Sequence, residues 1–161
     1  MVGGNPAFPN LSGSTAGVES YVANMRVVNC NIRGIANWGY LAASNPIENS
    51  LNLNIAVENC NISGTTGIGD NGVTGAGVLL YAETQEVIQN CKIQDNPIGV
   101  YLTANSSFNA ILQNTITAND VGIQIDAGSN FNLIKENNIF NNGTNLIDNG
   151  TGTQLVNNTI F

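Results

Sequence analysis

Three cysteines carry the most evident chemical potential in this chain, and they stand in near-identical surroundings: Cys30 in VVNCNI, Cys60 in VENCNI and Cys91 in IQNCKI. Thiols in matching contexts suit a metal centre, a redox pair, a disulfide or one position of a repeat. Zinc needs ligands that converge, usually including a close C-x-x-C pair and often a histidine. Here the cysteines are 30 and 31 residues apart, and the chain has no histidine. The charged residues are no better grouped. Asp95, Asp120, Asp126 and Asp148 are scattered, Arg26 and Arg33 lie early, and Lys92 and Lys135 are single. Glycoside hydrolysis needs two carboxylates close together, and calcium needs several oxygens aimed at one point. We therefore expect no catalytic residue, no metal ligand and no cofactor. The loop GTTGIGDNGVTGAG is not a phosphate cradle, because it lacks the closing lysine with serine or threonine and a following helix. Matches to N-x-S/T are expected by chance in a chain with 29 asparagines among 161 residues.

Composition narrows the partners. With 42% hydrophobic and 9% charged residues the chain can bury a core. Four basic side chains and a net charge of −7 argue against a nucleic-acid groove or an anionic membrane surface, both of which need clustered lysine and arginine. No apolar run approaches the roughly 20 residues of a membrane span.

The elements that must position these residues are repeats. With Cys30, Cys60 and Cys91 in one column, ILQNTI, IKENNI and LVNNTI continue it through Asn114, Asn137 and Asn158. Three residues earlier stand Val27, Val57, Ile88, Ile111, Ile134 and Leu155; two residues later stand Ile32, Ile62, Ile93, Ile116, Ile139 and Ile160. Both columns are wholly aliphatic. The residue just before the column is always polar: Asn29, Asn59, Asn90, Gln113, Glu136 and Asn157. A second motif follows, WGYL at 38–41, GVLL at 77–80, GVYL at 99–102 and GIQI at 122–125. Column spacings of 30, 31, 23, 23 and 21 set a unit of about 23 residues, the first two units carrying the extra loops SNPIENSLNLN and GTTGIGDNGVTGAG.

Within a unit the period is that of strands. Ile98, Val100 and Leu102 alternate with Gly99 and Tyr101. The two aliphatic columns lie five residues apart, so one straight strand cannot turn both inward. A bend is required, and the polar residue before the column is its natural seat, since asparagine tolerates left-handed backbone. Each unit is too small to bury its own apolar face and must stack on the next. Parallel ladders about 4.8 Å apart then align equivalent residues. Phe108 over Phe131 forms an aromatic step, and Asn96, Asn119 and Asn142 a turn ladder. The cysteine column becomes a structural ladder of Cys30, Cys60, Cys91, Asn114, Asn137 and Asn158, with small reduced sulfurs above and amide-to-amide hydrogen bonds below. Parallel side chains point the same way, which disfavours a disulfide even though a separation of about 4.8 Å falls within bridging range.

The repeated NC-x-I and NN-x-I followed by G-[IV]-x-[IL] resembles the right-handed parallel β-helix repeats of the pectin-lyase-like superfamily over residues 17–161. The resemblance implies an all-β, right-handed parallel β-helix of five to six coils, preceded by an arm or cap at 1–16. It also implies two kinds of function. Lyases and hydrolases of this resemblance use an aspartate cluster with a basic residue, or close aspartates, and this sequence assembles neither. We therefore expect a non-catalytic structural module of a bacterial or viral surface or fibre, located outside the cell or on a virion. Its open C-terminal end, at NNTIF, is expected to be covered by self-association or by the remainder of a longer β-helix. The alternative is a carbohydrate-binding or polysaccharide-degrading β-helix. For a polysaccharide partner the candidates are Tyr101, in the outward register of its strand, and the neighbouring Tyr81, as a small aromatic shelf.

Overall fold

The computed structural model describes residues 16–20, 24–43, 55–66 and 74–161. The expected arm lies outside the described residues except for Ala16, as do the loop 44–54 and the centre of the second loop, 67–73. Six coils follow one another, each made of three strands. They are β1 (Ala16–Ser20), β2 (Arg26–Val28) and β3 (Asn31–Arg33); β4 (Trp38–Ala43), β5 (Ala56–Glu58) and β6 (Asn61–Ser63); β7 (Ala76–Tyr81), β8 (Val87–Gln89) and β9 (Lys92–Gln94). The lower three coils are β10 (Ile98–Thr103), β11 (Ala110–Leu112) and β12 (Thr115–Thr117); β13 (Val121–Ile125), β14 (Leu133–Lys135) and β15 (Asn138–Phe140); β16 (Thr144–Asp148), β17 (Gln154–Val156) and β18 (Thr159–Ile160). Every third strand pairs in parallel, giving three six-stranded sheets: β1-β4-β7-β10-β13-β16, β2-β5-β8-β11-β14-β17 and β3-β6-β9-β12-β15-β18. This is a right-handed parallel β-helix of six coils. Among the described residues no helix is long and apolar enough to cross a membrane.

The bends fall where the sequence requires them. Asn29, Asn59, Asn90, Gln113, Glu136 and Asn157 all have φ between 52° and 57°, so one left-handed residue per coil turns the chain from the second sheet into the third. Register follows the aliphatic columns: Ile111 pairs Ile88 and Ile134, and Ile93 pairs Ile62 and Ile116. The ribs are buried from Val57 to Ile134 and from Ile62 to Ile139. Tyr40, Val78, Val100 and Ile123 supply the third wall of the same core. Each buried isoleucine contributes on the order of 1.5–3 kcal/mol, so the interior is held by stacking of like on like.

The strict alternation read over 98–102 breaks at Gly99. A Cβ there would lie 2.5 Å from the Gly122 carbonyl oxygen and 3.0 Å from Ile116 and the Asn119 amide, which marks a corner turned inward. Ile98 consequently leaves the coil interior. It joins Trp38, Leu41, Ala76, Leu79 and Tyr101 in a second apolar cluster on the outer face of the long-strand sheet, every member buried. Trp38 also donates its indole N–H to the Thr74 carbonyl at 3.2 Å.

Candidate functional site

The cysteine column is a hydrogen-bonded ladder along its whole length. In the amide half, Asn114 donates its backbone N–H to Asn137 Oδ1 at 2.9 Å, and Asn137 does the same to Asn158 Oδ1 at 2.9 Å. The amide of Asn137 then donates to the carbonyls of Ile111 at 2.8 Å and Lys135 at 3.1 Å. The sulfurs repeat this pattern, with one atom both accepting and donating. Cys60 donates its backbone N–H to Cys91 Sγ at 3.4 Å, and the single Cys91 thiol proton is shared between the carbonyls of Gln89 at 3.2 Å and Val57 at 3.5 Å. Cys91 N–H passes the ladder on to Asn114 Oδ1 at 2.9 Å. The three cysteines are free thiols, Cys60 and Cys91 buried and Cys30 partly so. Burial is the main cause that raises the Cys60 thiol above its ordinary range and pushes Cys91 up to about 12. Neither is a thiolate at neutral pH, so neither is a nucleophile or a metal ligand as it stands.

Two further ladders occupy the remaining corners. Asn96 donates its N–H to Asn119 Oδ1 at 3.1 Å and Asn119 to Asn142 Oδ1 at 2.9 Å, the turn ladder expected from the sequence. At the third corner, Glu86 donates its N–H to Asn109 Oδ1 and Asn109 to Asn132 Oδ1, each at 2.9 Å. Sequence reading did not find this one. Its signal was the same 23-residue spacing from Glu86 to Asn109 to Asn132, masked because a carboxylate heads the column.

The sugar-shelf candidates stand in a different setting from the one expected. Tyr101 does face outward, but it is 7% exposed within the outer apolar cluster, so its ring faces are covered by packing. Its hydroxyl donates to Asp126 Oδ2 at 2.6 Å, and the Thr103 hydroxyl donates to the same oxygen at 2.7 Å. Gln124 holds the other oxygen at 3.0 Å. Burial alone would raise the Asp126 carboxyl, but the three hydrogen bonds outweigh it and hold the group below its ordinary value. Burial, then the bond to Asp126, pushes Tyr101 up to about 12. Tyr81 is only half-buried, and its backbone pairs with Thr103.

The exposed aromatics lie elsewhere. Phe108 and Phe131 stack at 5.3 Å with 18° between rings and are 61% and 54% exposed. Stacking was legible from the repeat; the backbone was not. Both have left-handed φ, 61° and 56°, a conformation that a bulky side chain normally avoids. Among the acids, Asp95 and Asp120 are exposed and Asp148 accepts from Gly150 N–H at 3.0 Å. Arg26 pairs with Glu58 and Lys135 with Glu136. Among the described residues no three cysteines or carboxylates gather in a way that could hold a metal ion.

Comparison with known proteins adds one finding. A family model described as the right handed beta helix region matches residues 10–160. No curated protein and no solved structure matches significantly.

Proposed function

Since the chain belongs to the right-handed β-helix family, we propose that it is a non-catalytic structural module of a bacterial or viral surface, fibre or self-assembling structure, working outside the cell or on a virion. The observation that carries this reading is the coil interior, filled by stacked aliphatic ribs and by hydrogen-bonded ladders at its three corners. In the last described coil Leu155 and Ile160 are exposed, whereas their column equivalents one coil earlier, Ile134 and Ile139, are fully buried. The strands β16, β17 and β18 each leave one edge unpaired. Exposed aliphatic side chains in line with a buried rib suit contact with a second copy of the chain. Light scattering across a concentration series tests the reading on this chain. Association that weakens in Leu155→Asp is the expected result, and a strictly monomeric chain at all concentrations counts against it.

A second reading, carbohydrate binding, is favoured by the Phe108–Phe131 stack, since exposed aromatic rings held at a backbone cost suit contact with sugar rings. Affinity electrophoresis in neutral and acidic polysaccharides separates the two. Retardation lost in Phe108→Asn supports binding, and unchanged mobility in every gel removes it.

A further inference from the structure

The head of the third-corner ladder holds two carboxylates inside the coil. Glu83 is 0% and Glu86 2% exposed, and Tyr40, fully buried, sits one coil above. Both Glu86 oxygens and the Tyr40 hydroxyl lack a closed hydrogen bond; the Ile55 amide bears on Glu86 and the Ser20 hydroxyl on Tyr40. In the two coils below, the equivalent residues are amides that accept and donate together. Asn109 takes the Glu86 N–H and gives its own amide proton to the Glu83 carbonyl at 3.2 Å, and Asn132 donates to the Ser106 carbonyl at 3.1 Å. An ionised carboxylate only accepts, whereas a protonated one also donates. Glu86 thus occupies a ladder step that calls for a proton it must bring itself.

We propose that Glu83 and Glu86, together with Tyr40, form a buried proton-holding pair that fastens the upper coils in acid and loosens them in alkali. Among the described residues the groups bearing on Glu86 are Glu83, from the same turn, and Tyr40, from β4; the coil below presents the neutral Asn109 and Ser106, and the coil above Ile55. Arg26, Arg33, Lys92 and Lys135 flank inward-facing Val27, Ile32, Ile93 and Ile134 on the outer side of β2, β3, β9 and β14, so none of these four faces Glu86. Burial first, and the Glu83 charge second, push the Glu86 carboxyl up to about 9 from an ordinary 4.5. A group raised in the folded state stabilises fully below its unfolded value and loses that contribution as pH climbs through the folded one. The window therefore runs from about 4.5 to about 9.

Trp38, the sole tryptophan, neighbours Tyr40 in β4 and reports on these coils by fluorescence. In urea titrations of the whole chain, the unfolding constant should rise by up to about tenfold per pH unit within the window. Glu86→Gln should flatten that slope and give a higher midpoint than the parent at alkaline pH. A parent midpoint that does not change with pH overturns the proposal, as does a slope that persists in Glu86→Gln. Should the variant not fold, carbon NMR of the Glu86 carboxyl in the parent decides: titration in the ordinary carboxylate range overturns the pair, and a strongly raised one supports it. Calcium that restores the alkaline midpoint in the parent, but not in Glu86→Gln, would make the cluster a cation site instead and equally overturn it.

Discussion

A thiol can stand in for a carboxamide when the amide's task is to take one N–H and return one proton to a carbonyl. Cys91 performs both halves, accepting from Cys60 N–H and donating to Gln89. The exchange of cysteine for asparagine was legible as a column because the spacing repeats. Its chemistry was not, because reading cysteine as a small apolar filler gives it no bonds to make. The two accounts differ in a testable way. Cys91→Asn extends the amide ladder by one step and should leave the urea midpoint nearly unchanged. Cys91→Val keeps the site apolar but leaves the buried Cys60 N–H without its acceptor, at a cost of about 1–3 kcal/mol. If valine were the better tolerated of the two, the ladder role would fall.

At the scale of the elements, short strands matter less than the corners joining them. The left-handed bend before the column was predictable from the odd spacing of two aliphatic columns, and all six bends adopt it. The inward corner at Gly99 was hidden, since a glycine within an alternating run reads as an ordinary strand position. That hid the outer cluster too, because the burial of Tyr101 and Ile98 depends on residues remote in sequence. Gly99→Ala puts a methyl carbon against the Gly122 carbonyl, where the neighbour is backbone and cannot rotate away. We expect a loss of about 1–3 kcal/mol, read as a lower urea midpoint with local hydrogen-exchange protection falling in β10 and β13. A silent substitution would show that the corner can open without penalty. Glu86 escaped notice for a related reason: a carboxylate in a turn reads as solvated, and only the column through Asn109 and Asn132 places it inside.

For the whole molecule, stability is a sum over neighbouring coils rather than the property of one centre. That explains why a carboxylate pair in the upper coils can set a local pH response while the fully amide-laddered coils below stay indifferent to it. The three ladders advance together, 23 residues per step from Cys91 to Asn114, from Asn96 to Asn119 and from Glu86 to Asn109. The chain is thus graduated like a ruler. Excising residues 110–132, one whole graduation, brings Leu133 to the place of Ala110 and Ile134 to that of Ile111, so the shortened protein should fold with its β-sheet circular dichroism intact. Removing only residues 110–120 should not, because β13 would then follow Asn109 at the place of β11 and the three sheets would lose their order. Length in such a protein is counted rather than measured, and a lineage carrying it could lengthen or shorten its reach by whole coils without redesigning either end.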